Sequence, residues 1–262
     1  MKTSGEFGRM SNMKDNRLVF DKIVDIFDKW RGRYSRELFN YLIETCKLDE
    51  SKKCLEIGPG TGQATDFALQ TGCDYTAIEL GEHLAAFMQK KYGKYPNFRI
   101  INADFETYTF EKNAYDFVYS AAAIQWIKED IAYRKSTDML KDGGYLAMFF
   151  IRGDYQTPNP ELFSEIQKVY DKYFKTQNTY RCNFDYENGT SYGLKYLGRK
   201  EFYGQREFTA DEYIEYIHTH SDHNGIEEKY QEPFFEGIRN AILEHGNKIV
   251  FYDTFMLYLY QK

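Results

Sequence analysis

The chain has 262 residues, 42% hydrophobic and 28% charged, so it can bury a core and is too apolar for global disorder. Its formal net charge of −6 removes any general attraction to nucleic acid or anionic lipid. At this length one large α/β domain with insertions, or two small domains, is expected.

Residues 1 to about 16 are polar and expected to be mobile. They lack the apolar run of a signal peptide, and the most apolar stretch, Ile249 to Tyr260, is too short to span a bilayer. Two helical patterns follow, Leu18–Trp30 and Ser35–Leu48, joined by Arg31-Gly-Arg33-Tyr34. The stretch Cys54–Ile57 is an apolar strand that runs into Gly58-Pro-Gly60-Thr-Gly62, and a helical pattern begins at Ala64. Further strands are predicted at Asp74–Glu79, Asn97–Asn102, Tyr115–Tyr119 and Tyr145–Ile151. Helices Glu82–Tyr92 and Lys128–Leu140 lie among them, and a turn is read at Lys141–Gly144. Strands alternating with helices at this spacing predict a parallel, doubly wound sheet.

The character changes at Arg152. Helices are predicted at Glu161–Lys175, Ala210–Thr219 and Gly225–His245, the last open to interruption at Pro233. Strands are read at Arg199–Phe208 and Lys248–Tyr260, while 176–198 carries no readable period. The expected division is 1–48 as N-terminal helices and lid, 49–151 as a cofactor-binding core, and 152–262 as cap insertions plus two final strands.

Gly58 and Gly60 allow positive φ and close approach of a ligand to the backbone, and the following helix start presents amides to it. A dinucleotide fingerprint needs its third glycine at position 63, which is Gln63, so pyrophosphate binding is disfavoured. Glu79, at the end of the second strand, can accept two hydrogen bonds from a ribose diol. The four cysteines, Cys46, Cys54, Cys73 and Cys182, have no metal-ligand spacing and read as free thiols in a reducing, cytoplasmic setting. In His218-Thr-His220-Ser-Asp222-His223 the histidines do not share a helix face, so no metal is assigned.

The glycine spacing resembles motif I of the class I S-adenosylmethionine-dependent methyltransferases. Ala123-Ile-Gln125-Trp126 resembles the Ala-x-Gln-Trp run of the trans-aconitate methyltransferase group. Two departures stand out: Gly32 and Ser35 replace common prolines in the lead-in, and Asp142 replaces the proline of the Leu-Lys-Pro-Gly-Gly turn. The resemblance implies a seven-stranded, mostly parallel α/β sheet. Insertions after the fifth strand and between the sixth and seventh would form a helical cap. It implies S-adenosyl-L-methionine as cofactor and S-adenosyl-L-homocysteine as product. Glu56, Gly58, Gly60 and Gly62 would lie at the methionine part, and Glu79 at the ribose. Asp104 would meet the adenine amine, with Leu80 and Phe105 sandwiching the ring; Ser120 and Tyr34 would complete the site. Gln125 and Trp126 fall where the family places acceptor-side residues. His223, with Ser221 beside it, is the candidate base facing the acceptor, and Asp222 is a candidate helix cap.

The expected partner is a small-molecule methyl acceptor, with no nucleic acid and no membrane, in a monomer or homodimer. An RNA or protein methyltransferase and a non-catalytic cofactor-binding regulator are the alternatives.

Overall fold

The computed structural model describes residues 17–176 and 182–262. The polar first 16 residues therefore lie outside the described residues, as do 177–181 of the unassigned stretch.

Seven strands form one sheet in the order β3-β2-β1-β4-β5-β7-β6. They are β1 (Lys53–Ile57), β2 (Asp74–Glu79), β3 (Phe98–Asn102), β4 (Tyr115–Ala121), β5 (Leu140–Asp154), β6 (Lys195–Phe208) and β7 (Ile249–Gln261). From β3 across to β5 every pairing is parallel, with Ile57 opposite Ile78 and Glu79 opposite Asn102. The strand order reverses at β1, as the doubly wound reading requires. Eight α-helices are described: α1 (Val24–Trp30), α2 (Arg36–Cys46), α3 (Asp66–Leu69), α4 (Glu82–Tyr92), α5 (Glu129–Met139), α6 (Pro160–Tyr173), α7 (Ala210–Ile217) and α8 (Glu228–Glu244).

The two-residue alternation of the central strands sorts their side chains into two layers. Cys54, Tyr75, Ala77, Phe117, Tyr119 and Phe149 pack with Leu38 and Leu42 of α2, Phe67 of α3 and Met88 of α4. Leu55, Ile57, Ile78, Val118, Leu146 and Met148 pack on the other face with Ala132 and Tyr133 of α5. Both faces of β1 are covered, which is why it reads as an unbroken apolar run.

The chain divides into two compact units. One, the sheet unit, comprises Gly32–Ile151, Cys182–Phe202 and Phe255–Lys262; the described part of the other, the helical unit, comprises 17–31, 152–176 and 203–254. One division falls after Ile151, the boundary read from the sequence, and another after Arg31, where the sequence reading set 48. Leu38, Leu42 and Cys46 of α2 are buried in the sheet core, so α2 does not belong with α1. Trp30 of α1 packs instead with the core of α6, α7 and α8, among Ile166, Phe208, Tyr213, Phe234 and Ile238.

Two local expectations also change. The turn read at Lys141–Gly144 lies inside β5, as an irregularity between Tyr115 and Phe117 in its pairing with β4, with Gly143 at φ +79°. Helix α8 passes through Pro233 without a break; the proline falls in its second turn, where it removes one backbone hydrogen bond.

Candidate functional site

The glycine turn leaves β1 with Gly58, Gly60 and Gly62 all at positive φ, +66°, +59° and +88°. Two of these positions also lack room for a side chain. A Cβ on Gly58 would lie 2.5 Å from the Ala123 Cβ, and one on Gly62 2.6 Å from the Tyr92 ring. Glycine is required here by conformation and by packing together.

Glu79 ties this turn to the next strand: Oε2 accepts the Gly60 amide at 3.1 Å and Oε1 accepts the Gly81 amide at 2.9 Å. Its side chain is nearly buried. Asp104 follows β3, where Oδ1 accepts the Glu106 amide at 2.9 Å. Phe105 beside it is buried, and Leu80 is half-buried, its carbonyl accepting from Asn102 at 3.2 Å. The Lys135 ammonium holds this turn, donating to the carbonyls of Phe105, Glu106 and Tyr108 at 2.7, 3.0 and 2.6 Å. The glycine turn and the two carboxylates thus follow three adjacent parallel strands, β1, β2 and β3.

Glu56 occupies a different position from these. It is fully buried, and the hydroxyls of Tyr75, Thr65 and Tyr119 all donate to Oε2, the latter two at 2.7 and 3.1 Å. Burial pushes its carboxyl up to about 7, against those three hydrogen bonds. Its other oxygen, Oε1, is buried and accepts no hydrogen bond. Ser120 is likewise buried, its hydroxyl donating to the Ile57 carbonyl at 2.9 Å. Both brace β1 from within the core. Tyr34 packs edge-on against Phe149 with centroids 4.8 Å apart, joining the sheet core.

After β4 the backbone takes a left-handed conformation at Ala122, φ +54°, uncommon for a residue with a Cβ. It is held on both sides. The Ala122 amide donates to the Phe149 carbonyl at 2.8 Å, and the Ala122 carbonyl accepts from Gln125 Nε2 at 2.9 Å. Gln125 Oε1 then accepts the Tyr186 hydroxyl at 3.1 Å. Tyr186 sits among Phe150, Phe184 and Tyr258, with ring centroids 4.9–5.2 Å away. Trp126, half-buried, follows in the same short turn, Ile124–Trp126. No local signal marks Tyr186, because the polar run around it has no period and its partner lies 61 residues away.

His223 lies in the helical unit, and both its ring nitrogens are engaged. Nδ1 is 2.7 Å from Asp222 Oδ1, and Nε2 is 2.7 Å from the Tyr170 hydroxyl. The ring is buried against Tyr170, Phe174 and Phe234. Asp222 also accepts the His223 amide at 2.9 Å, the capping role read for it. A histidine closed on both nitrogens is poorly disposed to take a proton from an acceptor. Trp30 packs on Phe208 at 6.4 Å, and Arg31 donates to the Thr219 carbonyl at 2.8 Å, both within the helical unit.

The methyltransferase-domain family matches residues 55–148, which hold the glycine turn, Glu79, Asp104 and the Gln125 turn. Residues 55–148 are a methyltransferase domain. The cofactor of the methyltransferase domain is S-adenosylmethionine. The residues present fit it. Two strand-end carboxylates accept backbone amides, and the turn after the neighbouring strand carries no side chain at Gly58, Gly60 or Gly62.

The chain is 35% identical over 80 residues to a ribosomal RNA small subunit methyltransferase A from Borreliella afzelii, which covers 30% of this chain and 28% of that one. It spans less than a third of the length of such curated relatives. Among solved structures, a protein from Anaeromyxobacter dehalogenans described as a type II methyltransferase superposes with a TM-score of 0.65. The identity is 17%, over 87% of this chain and 97% of that one. A protein from Galdieria sulphuraria described as a sarcosine dimethylglycine methyltransferase gives 0.50, at 16% identity over 86% and 84%. At these identities the structural likeness speaks for the fold alone.

Proposed function

We propose that this chain transfers the methyl group of S-adenosylmethionine to a small-molecule acceptor. Glu79 would accept the ribose hydroxyls and Asp104 the adenine amine, with Leu80 and Phe105 against the ring. Gly58, Gly60 and Gly62 would leave room for the methionine part, while Glu56 and Ser120 brace the strand beneath. The bound sulfonium supplies an already activated methyl group, so the chain's own task is to align the acceptor and exclude water. Orientation of this kind contributes up to ~7–11 kcal/mol in favourable cases.

The observation that carries the acceptor class is the Gln125–Tyr186 hydrogen bond set among Phe150, Phe184 and Tyr258. The elements after β4 offer aromatic surface and one oriented amide, the make-up of a small-ligand pocket. Gln125 and Trp126 are the acceptor-side residues of this reading. His223, with both nitrogens engaged, is not taken as the base. Net charge of −6 speaks against a long nucleic-acid acceptor, whose phosphates need cationic neutralisation. Among the described residues no helix is long and apolar enough to cross a membrane, and the four free cysteines suit a reducing, cytoplasmic location.

Methylation of RNA is the second reading, favoured by the likeness to ribosomal RNA methyltransferases. Turnover read as S-adenosylhomocysteine release, over panels of small amines, carboxylates and phenols and over small-subunit ribosomal RNA, separates the two. Release with a small acceptor and none with RNA is expected. Release with RNA alone overturns the small-molecule reading.

A further inference from the structure

We propose that His220, Asp222 and His223 form a binding site for one divalent transition-metal ion of the zinc class. The helix-face argument against a metal at this run does not apply, because α7 ends at Ile217 and the segment beyond it is not α-helical. Asp222 accepts the His223 amide and starts a short 3-10 turn, His223–Gly225. That turn gathers one ligand atom from each of the three side chains to within 4.8 Å of one another.

Each residue shows a feature that suits coordination. The His220 ring packs against Tyr216 and His223, at 4.8 and 5.3 Å between centroids. Among the described residues neither of its ring nitrogens has a hydrogen-bond partner, although the residue is part-buried. These nitrogens keep contact with solvent, so they are open to an ion, beside a second imidazole and a carboxylate. Asp222 keeps 53% of its side chain exposed, which gives an ion access from solution. His223 already has the outer contact that orients a metal ligand. With Nδ1 on the metal, the proton sits on Nε2 and donates to the Tyr170 oxygen 2.7 Å away.

The donor set selects the metal. Two imidazoles and one carboxylate suit zinc, cobalt or nickel, whereas magnesium and calcium prefer oxygen ligands throughout. Tetrahedral bonds of about 2.0–2.1 Å set ligand atoms roughly 3.3 Å apart, so His220 must close in while His223 Nδ1 gives up its 2.7 Å hydrogen bond to Asp222 Oδ1. His220 has no side-chain hydrogen bond to break in doing so. Three protein ligands would leave a fourth position for water. Two guanidiniums oppose a cation here: Arg31, which donates to the Thr219 carbonyl, and Arg206, whose charge is matched by Asp253. This field weakens binding of every cation and leaves only strong nitrogen binders competitive. The proposal does not depend on the methyl-transfer reading.

The test uses the full chain, stripped with a chelator and titrated with zinc by calorimetry and with cobalt by visible absorption. One ion per chain is expected, with a rise in Tm. Asp222→Asn and His220→Ala should each weaken binding roughly 100-fold or more, since loss of an outer contact alone costs about 10–100-fold. His218→Ala and Cys182→Ser should leave stoichiometry and affinity unchanged. Should His220→Ala fail to fold, Asp222→Asn carries the test, because its side chain is half exposed. No saturable binding at tens of micromolar zinc, or equal affinity in wild type and Asp222→Asn, overturns the site.

Discussion

Glu79 accepts the Gly60 amide at 3.1 Å, which fastens the middle of the glycine turn to the end of β2. The contact makes one carboxylate serve both the turn and the proposed ribose position. Glu79→Ala should therefore weaken S-adenosylhomocysteine binding. A charge-assisted hydrogen bond is worth roughly 1.5–3 kcal/mol, and 1.4 kcal/mol is a factor of ten. A tenfold or greater rise in Kd by calorimetry is expected. An unchanged Kd would remove Glu79 from the site.

Glu56 gives a pH dependence with a definite sign. Its folded carboxyl is raised by burial from 4.5 to about 7, so the folded state holds the proton more tightly than the unfolded one. The stabilisation is complete below about pH 4.5 and is lost as pH rises through 7. At about 1.36 kcal/mol per pKa unit this amounts to about 3 kcal/mol. Glu56→Gln keeps an acceptor for Tyr75, Thr65 and Tyr119 but cannot ionise. Urea unfolding between pH 4.5 and 7.5 should show the wild type losing ground on Glu56→Gln; parallel profiles would mean that Glu56 ionises normally.

Within the helical unit Asp253 is almost wholly buried and pairs with Arg206 through both oxygens, one contact being 2.8 Å. The guanidinium lies over the rings of Phe208, Tyr216 and Phe251. Asp253→Ala leaves a buried cation unmatched and should cost about 3–5 kcal/mol. Replacing both partners, with Arg206→Met and Asp253→Leu, should recover much of that loss. Denaturation midpoints of the single and double variants decide it, and a harmless Asp253→Ala would show that the pair is solvated.

Tyr186→Phe removes the hydroxyl that donates to Gln125 Oε1 and keeps the ring. Under the proposed function turnover should fall roughly threefold to tenfold, the worth of one neutral hydrogen bond. Affinity for S-adenosylhomocysteine should stay as it is. A loss of cofactor affinity without a loss of turnover would place Tyr186 on the cofactor side instead.

The parts of this structure that were legible in the sequence are those governed by local pattern. Strand Asp74–Glu79 and helix Glu82–Tyr92 appear with the bounds read for them, because a buried run and a regular apolar spacing are properties of contiguous residues. The helix after the glycine turn did not follow its pattern and shrinks to Asp66–Leu69. Thr65 there bonds Glu56 from β1, and the positive φ at Gly62 delays the helix start. The helical unit was not legible, since it joins three stretches far apart in the chain through Trp30, Ile166, Phe208 and Phe234. In the candidate site the glycines and acids announced themselves, whereas Tyr186 and Tyr170 did not. Their significance comes from what touches them across 61 and 53 residues, which no local spacing encodes.

The three carbonyls collected by Lys135 bear on how fast and at what entropic cost a ligand is taken up. Burial lowers the pKa of this ammonium from its ordinary value, and its donors are committed to the turn that carries Asp104 and Phe105. Under the proposed function this turn would meet the adenine, and contacts within the chain itself hold its conformation. No loop has to order there on binding, which would otherwise cost about 1–2 kcal/mol for each backbone residue fixed. Association at this edge should then proceed as rigid docking, with amide exchange in 105–108 equally slow in the free and the bound protein.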